Sequence, residues 1–174
     1  NVLKIGSPIM ATGLVGLSTW TVFFIWIEQM GEFELTVSQT IRSIYFIAFI
    51  PLMGFAATTK TYVSQYIGKN NYGAIPIIQR KVQVLTIIFL VIFFHGPFLY
   101  PELLVSLINP NPEYLIESVR ILKMVAASIF IYSIFNVYIQ TIDGSGNTRV
   151  TFIIEVISVF FYLGFAYLFI KVFN

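Results

Sequence analysis

Five long apolar stretches fill most of the chain and determine its fold class. They cover residues 5–27, 43–59, 82–100, 124–142 and 150–170. About 20 helical residues cross a hydrocarbon core of about 30 Å, because each residue advances a helix by about 1.5 Å. Apolar residues occur at odd and even positions alike, unlike the short alternating segments of a membrane β-barrel. The pattern therefore predicts an all-α integral membrane protein with five transmembrane helices.

Polar joints rich in Gly, Asn, Pro and Asp separate these stretches and give the bounds of the predicted helices. The helices are predicted over about 5–27, 36–67, 80–100, 113–142 and 148–171. No long linker divides the chain, so residues 1–174 are predicted to form one transmembrane domain. Pro101–Ile108 is predicted to be a short helix in the membrane interface. Arg42 and Lys60 flank the second stretch, and we expect their long side chains to reach lipid headgroups.

Composition excludes several classes of function. Hydrophobic residues make up 57% of the chain and charged residues 10%, whereas a typical soluble domain has about 25% charged residues. The net charge is only +2 and no run of Lys or Arg occurs, so the surroundings are expected to be membrane lipids and not nucleic acid. With one histidine and no cysteine, we expect no metal site and no cofactor. No catalytic set is recognisable, so an enzyme is not expected.

Loop charges orient the chain. Lys4, Lys69 and Arg149 fall on one side of the predicted membrane, and the acidic loop residues, including Glu32 and Glu113, fall on the other. Basic loops favour the cytoplasm, so the N-terminus is predicted to be cytoplasmic. Five spans then place Asn174 outside.

Polar residues recur every four positions along the fourth predicted helix. They are Ser128, Tyr132, Asn136 and Gln140. Residues four apart share a helix face, and an amide is poorly accommodated by lipid, so this face should look into the protein or a wet cavity. The shorter stripes of the first and last helices are Thr12, Gly16 and Trp20, and Thr151, Glu155, Ser158 and Tyr162. The stripes have two possible functions, lining a cavity and joining helices by close packing.

Glu155 is the acid within the last predicted span. A charged side chain at mid-membrane costs about 2.5–3.5 kcal/mol on insertion scales, so it needs a partner or a task. We expect a structural pair with a basic residue such as Arg149, or contact with interfacial water. Ion coupling is the alternative.

Several runs occur in a characteristic order along nearly the whole chain. They are GSPI (6–9), STWTVFF (18–24), IEQMGE (27–32), SQTIRSIY (38–45), IPLMGF (50–55), VSQYIG (63–68) and DGSGNT (143–148). In order and spacing, the chain resembles the C-terminal half of a multidrug and toxic compound extrusion (MATE) transporter. The resemblance implies twelve helices in two six-helix lobes, with this chain supplying helices seven to eleven. The N-terminal lobe of the same protein would then be its partner.

The resemblance also implies a function. MATE transporters are secondary antiporters that use Na⁺ or H⁺ entry to export drugs and other amphipathic organic compounds, so we expect location in the cytoplasmic membrane of a bacterium. Many members carry a coupling glutamate midway along the first of these helices. Gly16 occupies that position here, so the site is not transferred, and Glu155 is the ion-coupling candidate.

Substrate contacts are predicted among aromatic and amide side chains, which can stack on flat cations and form loose hydrogen bonds. The candidates are Trp20, Phe24, Tyr45, Tyr132, Asn136 and Gln140. Two alternatives stay open. One is a lipid-linked sugar flippase of the same superfamily, which would favour a more basic cavity. The other is a non-transporting membrane scaffold subunit, in which the stripes would only join helices.

Overall fold

The chain is almost entirely helical in a computed structural model that describes the backbone of residues 2–172 and the side chains of residue 3 and residues 6–172. The helices are α1 (Val2–Glu28), α2 (Glu32–Gly68), α3 (Ala74–Phe93), α4 (Gly96–Leu99), α5 (Pro101–Ile108), α6 (Pro112–Gly144) and α7 (Thr148–Tyr167), and a π-helical turn (Leu168–Val172) follows α7. The Lys4 side chain and Asn174, used above to orient the chain, lie outside the described residues.

The predicted fold class is confirmed. In the described part of the chain, five helices are long and apolar enough to cross a membrane, and no strand occurs. The five candidate spans are Gly6–Glu28, Glu32–Gly68, Ala74–Phe93, Pro112–Gly144 and Thr148–Val172.

The third helix is predicted at 80–100, whereas α3 begins at Ala74 and ends at Phe93. Pro76 is tolerated near the start because the first N–H groups of a helix have no partner within it. At the other end the residue before a proline disfavours helical geometry, and the break precedes Gly96-Pro97. The His95 ring contacts the backbone at this break, where its Nδ1 atom lies 2.8 Å from the Ile92 carbonyl oxygen. The chain then forms α4 and α5; the position of α5 in the membrane interface stays a prediction.

The chain divides into two compact units, which we name by their place in the sequence. The terminal unit comprises Asn1–Leu35 and Gly146–Asn174, and the central unit comprises Thr36–Ser145. In the terminal unit α1 packs on α7. In the central unit α3, α4 and α5 all pack on α6. The terminal unit thus pairs helices from the two ends of the sequence, whereas the helices of the central unit follow one another along the chain.

Small and branched residues form the buried faces of the two longest helices. On α2 the buried positions include Ile44, Ala48 and Leu52, and on α6 they include Ala126 and Ile129. Steps of three or four residues keep these side chains on one face of a helix. The polar stripe of α6 lies beside this buried face, which places it next to packed protein.

Candidate functional site

A cavity of about 300 Å³ lies between α2 and α6 in the central unit, and we call it the central cavity. Its walls are Phe49, Leu52, Met53, Ala56, Ala57, Lys60, Tyr132, Asn136 and Gln140. Three of the predicted substrate contacts, Tyr132, Asn136 and Gln140, therefore share one cavity. Ser128, the first member of the same stripe, is not part of the wall; its hydroxyl donates a hydrogen bond to the Met124 carbonyl oxygen at 3.0 Å.

The two amides of the wall are linked to each other. Gln140 Nε2 donates to Asn136 Oδ1 at 3.4 Å. An amide side chain has both donor and acceptor groups, so this one contact uses only some of the hydrogen-bonding groups of the two side chains. The remaining N–H and C=O groups can form hydrogen bonds with water or with ligands of varied shape.

Aromatic rings continue the cavity wall along α2. The Tyr45 and Phe49 rings stack with centroids 5.1 Å apart and planes at 27°. Phe49 also approaches Tyr132, with centroids 6.2 Å apart. Tyr45, a predicted substrate contact, thus reaches the cavity through Phe49. The sequence signal for Phe49 was its position four residues after Tyr45, which puts both rings on one helix face.

Lys60 has a protein partner that the sequence did not predict. Its Nζ atom pairs with Asp143 Oδ2 at 3.3 Å, and its predicted contact with lipid headgroups stays a prediction. Asp143, predicted to begin the loop after the fourth helix, lies in the last turn of α6. A cation of α2 and an acid of α6 therefore meet at the cavity.

Close packing of α2 and α6 accompanies this ion pair. A Cβ atom at Gly144 would lie 2.7 Å from the Lys60 carbonyl oxygen and 2.9 Å from Val63 Cβ, so only glycine fits. The Ser64 hydroxyl lies 2.8 Å from the Gly144 carbonyl oxygen, to which it can donate a hydrogen bond. These contacts fix the two helix segments that carry Lys60 and Asp143.

A second cavity, of about 240 Å³, lies between α1 and α7 in the terminal unit, and we call it the terminal cavity. Its walls are Gly16, Thr19 and Trp20 from α1, and Glu155, Ser158, Val159 and Tyr162 from α7. Gly16 and Trp20 of the first predicted stripe therefore line the same cavity as Glu155, Ser158 and Tyr162 of the last. The Thr19 hydroxyl donates to the Val15 carbonyl oxygen at 2.7 Å, so its polarity is satisfied within α1.

Glu155 is the charged residue of the terminal cavity wall. Its Oε1 atom lies 3.7 Å from the point where a Cβ of residue 16 would be, so it faces Gly16 across the cavity. Within the described part of the chain, Glu155 has no ion pair or hydrogen bond. The structural pair expected with Arg149 or another basic residue is therefore not formed there. Arg149 itself is exposed near the start of α7.

The other predicted contacts lie beside this acid. Trp20 and Phe24 stack with ring centroids 5.9 Å apart and planes at 16°. Phe23 joins them to α7, because its ring lies 5.6 Å from Phe24 and 5.6 Å from Tyr162. The six predicted substrate contacts thus form two groups. Trp20 and Phe24 belong to the terminal unit, and the other four belong to the central unit.

Neither cavity resembles a metal centre. No group of three or more His, Cys, Asp or Glu residues that could hold a metal ion occurs among the described side chains. What the cavities offer is aromatic surface, two amides, one paired cation and one carboxylate.

Comparison with known proteins identifies the family. The MatE family model matches residues 8–168. The chain is also similar to a probable multidrug resistance protein, NorM, of Thermotoga maritima, with 25% identity over 160 residues. That match covers 91% of this chain and 34% of the relative, so the chain spans about a third of its length. No significant match to a solved structure is found. The chain belongs to the MATE family of membrane transporters.

Proposed function

We propose that the protein is a secondary active transporter that exports drugs or other amphipathic organic compounds in exchange for Na⁺ or H⁺. The observation that carries this proposal is the central cavity, in which aromatic and amide side chains line a space between two membrane-length helices. The transported compound and the coupling ion pass through the complete transporter, including the N-terminal lobe that the resemblance implies. The proposed location is the cytoplasmic membrane of a bacterium.

Substrate binding is assigned to the aromatic and amide groups. Phe49 and Tyr132 supply ring faces that attract flat organic cations. Asn136 and Gln140 supply hydrogen-bonding groups that are only partly used by each other. Such a wall binds by surface contact and adaptable polar contacts, which suits a transporter of chemically diverse compounds. Trp20 and Phe24 offer a second stacked pair in the terminal unit.

Ion coupling is assigned to Glu155. A carboxylate in a transmembrane helix is costly unless it is paired, protonated or hydrated, and such residues often mark ion pathways. No cation of the described chain pairs with Glu155, and its oxygen faces a cavity. These two observations favour a coupled Na⁺ or H⁺ over the structural pair. The carboxylate also lies opposite Gly16. The resemblance implies that many MATE transporters have a coupling glutamate at that position.

The two alternatives have less support. A sugar–lipid flippase favours a cavity rich in basic residues, whereas the central cavity wall contains Lys60 alone among the basic residues described. A scaffold subunit would use its polar stripes for direct helix contact. Here the stripes of α1, α6 and α7 line cavities of about 240 and 300 Å³, which supports transport.

The test is gradient-driven export by the complete transporter reconstituted in liposomes. We expect ethidium, a flat organic cation, to move against its gradient when an inward Na⁺ or H⁺ gradient is imposed, and to stop when that gradient is collapsed. Imposing each gradient separately identifies the ion. Movement of a lipid-linked sugar without ethidium export would favour the flippase, and the absence of any gradient-driven movement would contradict the proposal.

The proposed orientation places Lys69 and Arg149 in the cytoplasm and Glu32 and Glu113 outside. The chain has no cysteine, so single cysteines at positions 69 and 113 give clean reporters. A membrane-impermeant thiol reagent added to intact cells should label position 113 and not position 69. The reverse pattern would show the opposite orientation.

A further inference from the structure

We propose that Lys60 makes the central cavity a binding site for the acid group of its ligand, so that the favoured compounds combine an aromatic body with a carboxylate. This inference rests on the proposed transport function and adds to it a preference for acidic or zwitterionic amphipaths over uncharged compounds of the same shape. It concerns a residue that the sequence placed at the lipid headgroups and that the structure places at the cavity between α2 and α6.

Lys60 lies nearer to the cavity than its acid partner. Lys60 is part of the cavity wall, and Asp143 is not. The Lys60 side chain is 35% exposed, and the Asp143 side chain is 16% exposed. The acid therefore lies behind the ammonium group as seen from the cavity. A ligand that enters the cavity meets the positive partner of the pair first.

The Lys60 ammonium group has more N–H donors than Asp143 uses. A lysine ammonium group has three N–H donors. In the part of the chain that the structure describes, one is used for Asp143, over a rather long 3.3 Å. The other two are available to a ligand. A carboxylate fits this need, because hydrogen bonds between two charged groups are shorter and stronger than those between neutral groups.

The ion pair between Lys60 and Asp143 is not needed to join the two helices. The packing of Gly144 against Val63 and the contact between Ser64 and the Gly144 carbonyl oxygen already join α2 to α6 at this level. A partly exposed ion pair adds little to stability. Asp143 reduces the cost of keeping an ammonium group away from bulk water and positions it. Asp143 is thus a positioning residue, and Lys60 is the contact residue.

The rest of the cavity wall suits an aromatic ligand. Phe49, Met53 and Tyr132 supply apolar surface for the body of a ligand. Tyr132 and Gln140 are eight residues apart on α6, which is about 12 Å along a helix. Ligand sites of about this volume hold small drug-like molecules. The cavity therefore suits a molecule with rings at one end and an acid within reach of Lys60.

The test compares two fluorescent probes that differ in one charge, dansylglycine and its uncharged amide, dansylglycinamide. Their dissociation constants are measured on the complete transporter in lipid nanodiscs. We expect the wild type to bind the acid about tenfold more tightly than the amide, as one charge-assisted hydrogen bond implies. Lys60→Gln should remove that difference, whereas Lys60→Arg should keep it. Asp143→Asn should keep it, because the amide oxygen can still accept a hydrogen bond from the ammonium group and hold it in place.

The matched control exchanges the two charges in the double variant Lys60→Asp and Asp143→Lys. This variant keeps an ion pair and moves the ammonium group out of the cavity wall, so the preference for the acid should be lost. Restored preference in the exchanged variant would show a purely structural pair and overturn the inference. An unchanged acid-to-amide ratio in Lys60→Gln would overturn it as well.

The outcomes for the two proposals are distinct. Gradient-driven ethidium export by the wild type, together with equal binding of both dansyl probes, would overturn the inference about Lys60 and leave the transport function standing. Absence of any gradient-driven export would overturn the transport function itself.

Discussion

The central and terminal cavities differ in whether the charged residue of the wall has an ionic partner among the described residues. In the central cavity Lys60 is held by Asp143 at 3.3 Å. In the terminal cavity Glu155 faces Gly16 and has no charged partner among the described residues. A paired charge on a cavity wall can be kept in place and offered to a ligand. An acid without a protein partner must take up a proton, a cation or water.

This difference suggests a division of tasks between the two units. In the proposed mechanism, the terminal unit would provide the exchangeable carboxylate, and the central unit would provide the aromatic and amide surface for the transported compound. The predictions that follow test whether the tasks can be separated by substitution, beginning with the largest expected effect.

Glu155→Gln should cause the largest loss. The amide keeps the shape of a protonated acid and cannot exchange an ion, so gradient-driven ethidium export should fall by about tenfold to a hundredfold, the range of a typical coupling free energy. Ser158→Ala, in the same cavity wall, is the matched control and should retain most of the export. Export by Glu155→Gln that still follows the imposed gradient at the wild-type rate would return Glu155 to a structural role.

The double variant Asn136→Leu, Gln140→Leu should affect the central cavity alone. It removes the amide pair without introducing a charge, so the dissociation constant of ethidium should rise by about tenfold, as expected for losing one or two hydrogen bonds. The melting temperature should change little. Ser128 lies on the same helix face and outside the cavity wall, so the variant Ser128→Leu should bind ethidium with the wild-type dissociation constant. Wild-type binding by the double variant would place substrate contacts elsewhere.

Gly144→Ala should have the smallest effect on binding and export, because it acts on stability. The added methyl group would lie 2.7 Å from the Lys60 carbonyl oxygen, and overpacking of this kind costs about 1–3 kcal/mol. Gly54→Ala, where no atom lies within 4 Å, is the control in the same unit. Gly16→Ala meets Glu155 Oε1 only at 3.7 Å and should also be tolerated. Thermal unfolding in detergent measures all three, and equal melting temperatures would contradict the close packing of α2 and α6.

The polar stripes show what could be predicted from the sequence. Helical periodicity places Tyr132, Asn136 and Gln140 on one face, and the structure puts all three on one cavity wall. Phe49 could have been found in the same way from its spacing to Tyr45. Such neighbours can be read from the sequence because positions on one helix are fixed by local geometry alone.

The pairing of Lys60 with Asp143 could not be predicted, because it depends on which segments of two helices meet. The two residues lie in different helices, and no local pattern relates them. The limits of α3 were wrong for a related reason. Hydropathy continues through Phe94 and beyond, whereas the helix ends where the backbone accommodates Gly96-Pro97. The absence of a pair at Glu155 within the described residues is likewise a property of the packed helices α1 and α7.

The most direct test of the division of tasks measures ethidium binding and gradient-driven export in the same preparations of wild type, Glu155→Gln and the double amide variant. We predict that Glu155→Gln binds ethidium normally and loses export. We also predict that the amide variant binds weakly and still responds to the gradient at saturating ethidium. Weak binding by Glu155→Gln together with gradient-independent export by the amide variant would reverse the assignment and contradict the account.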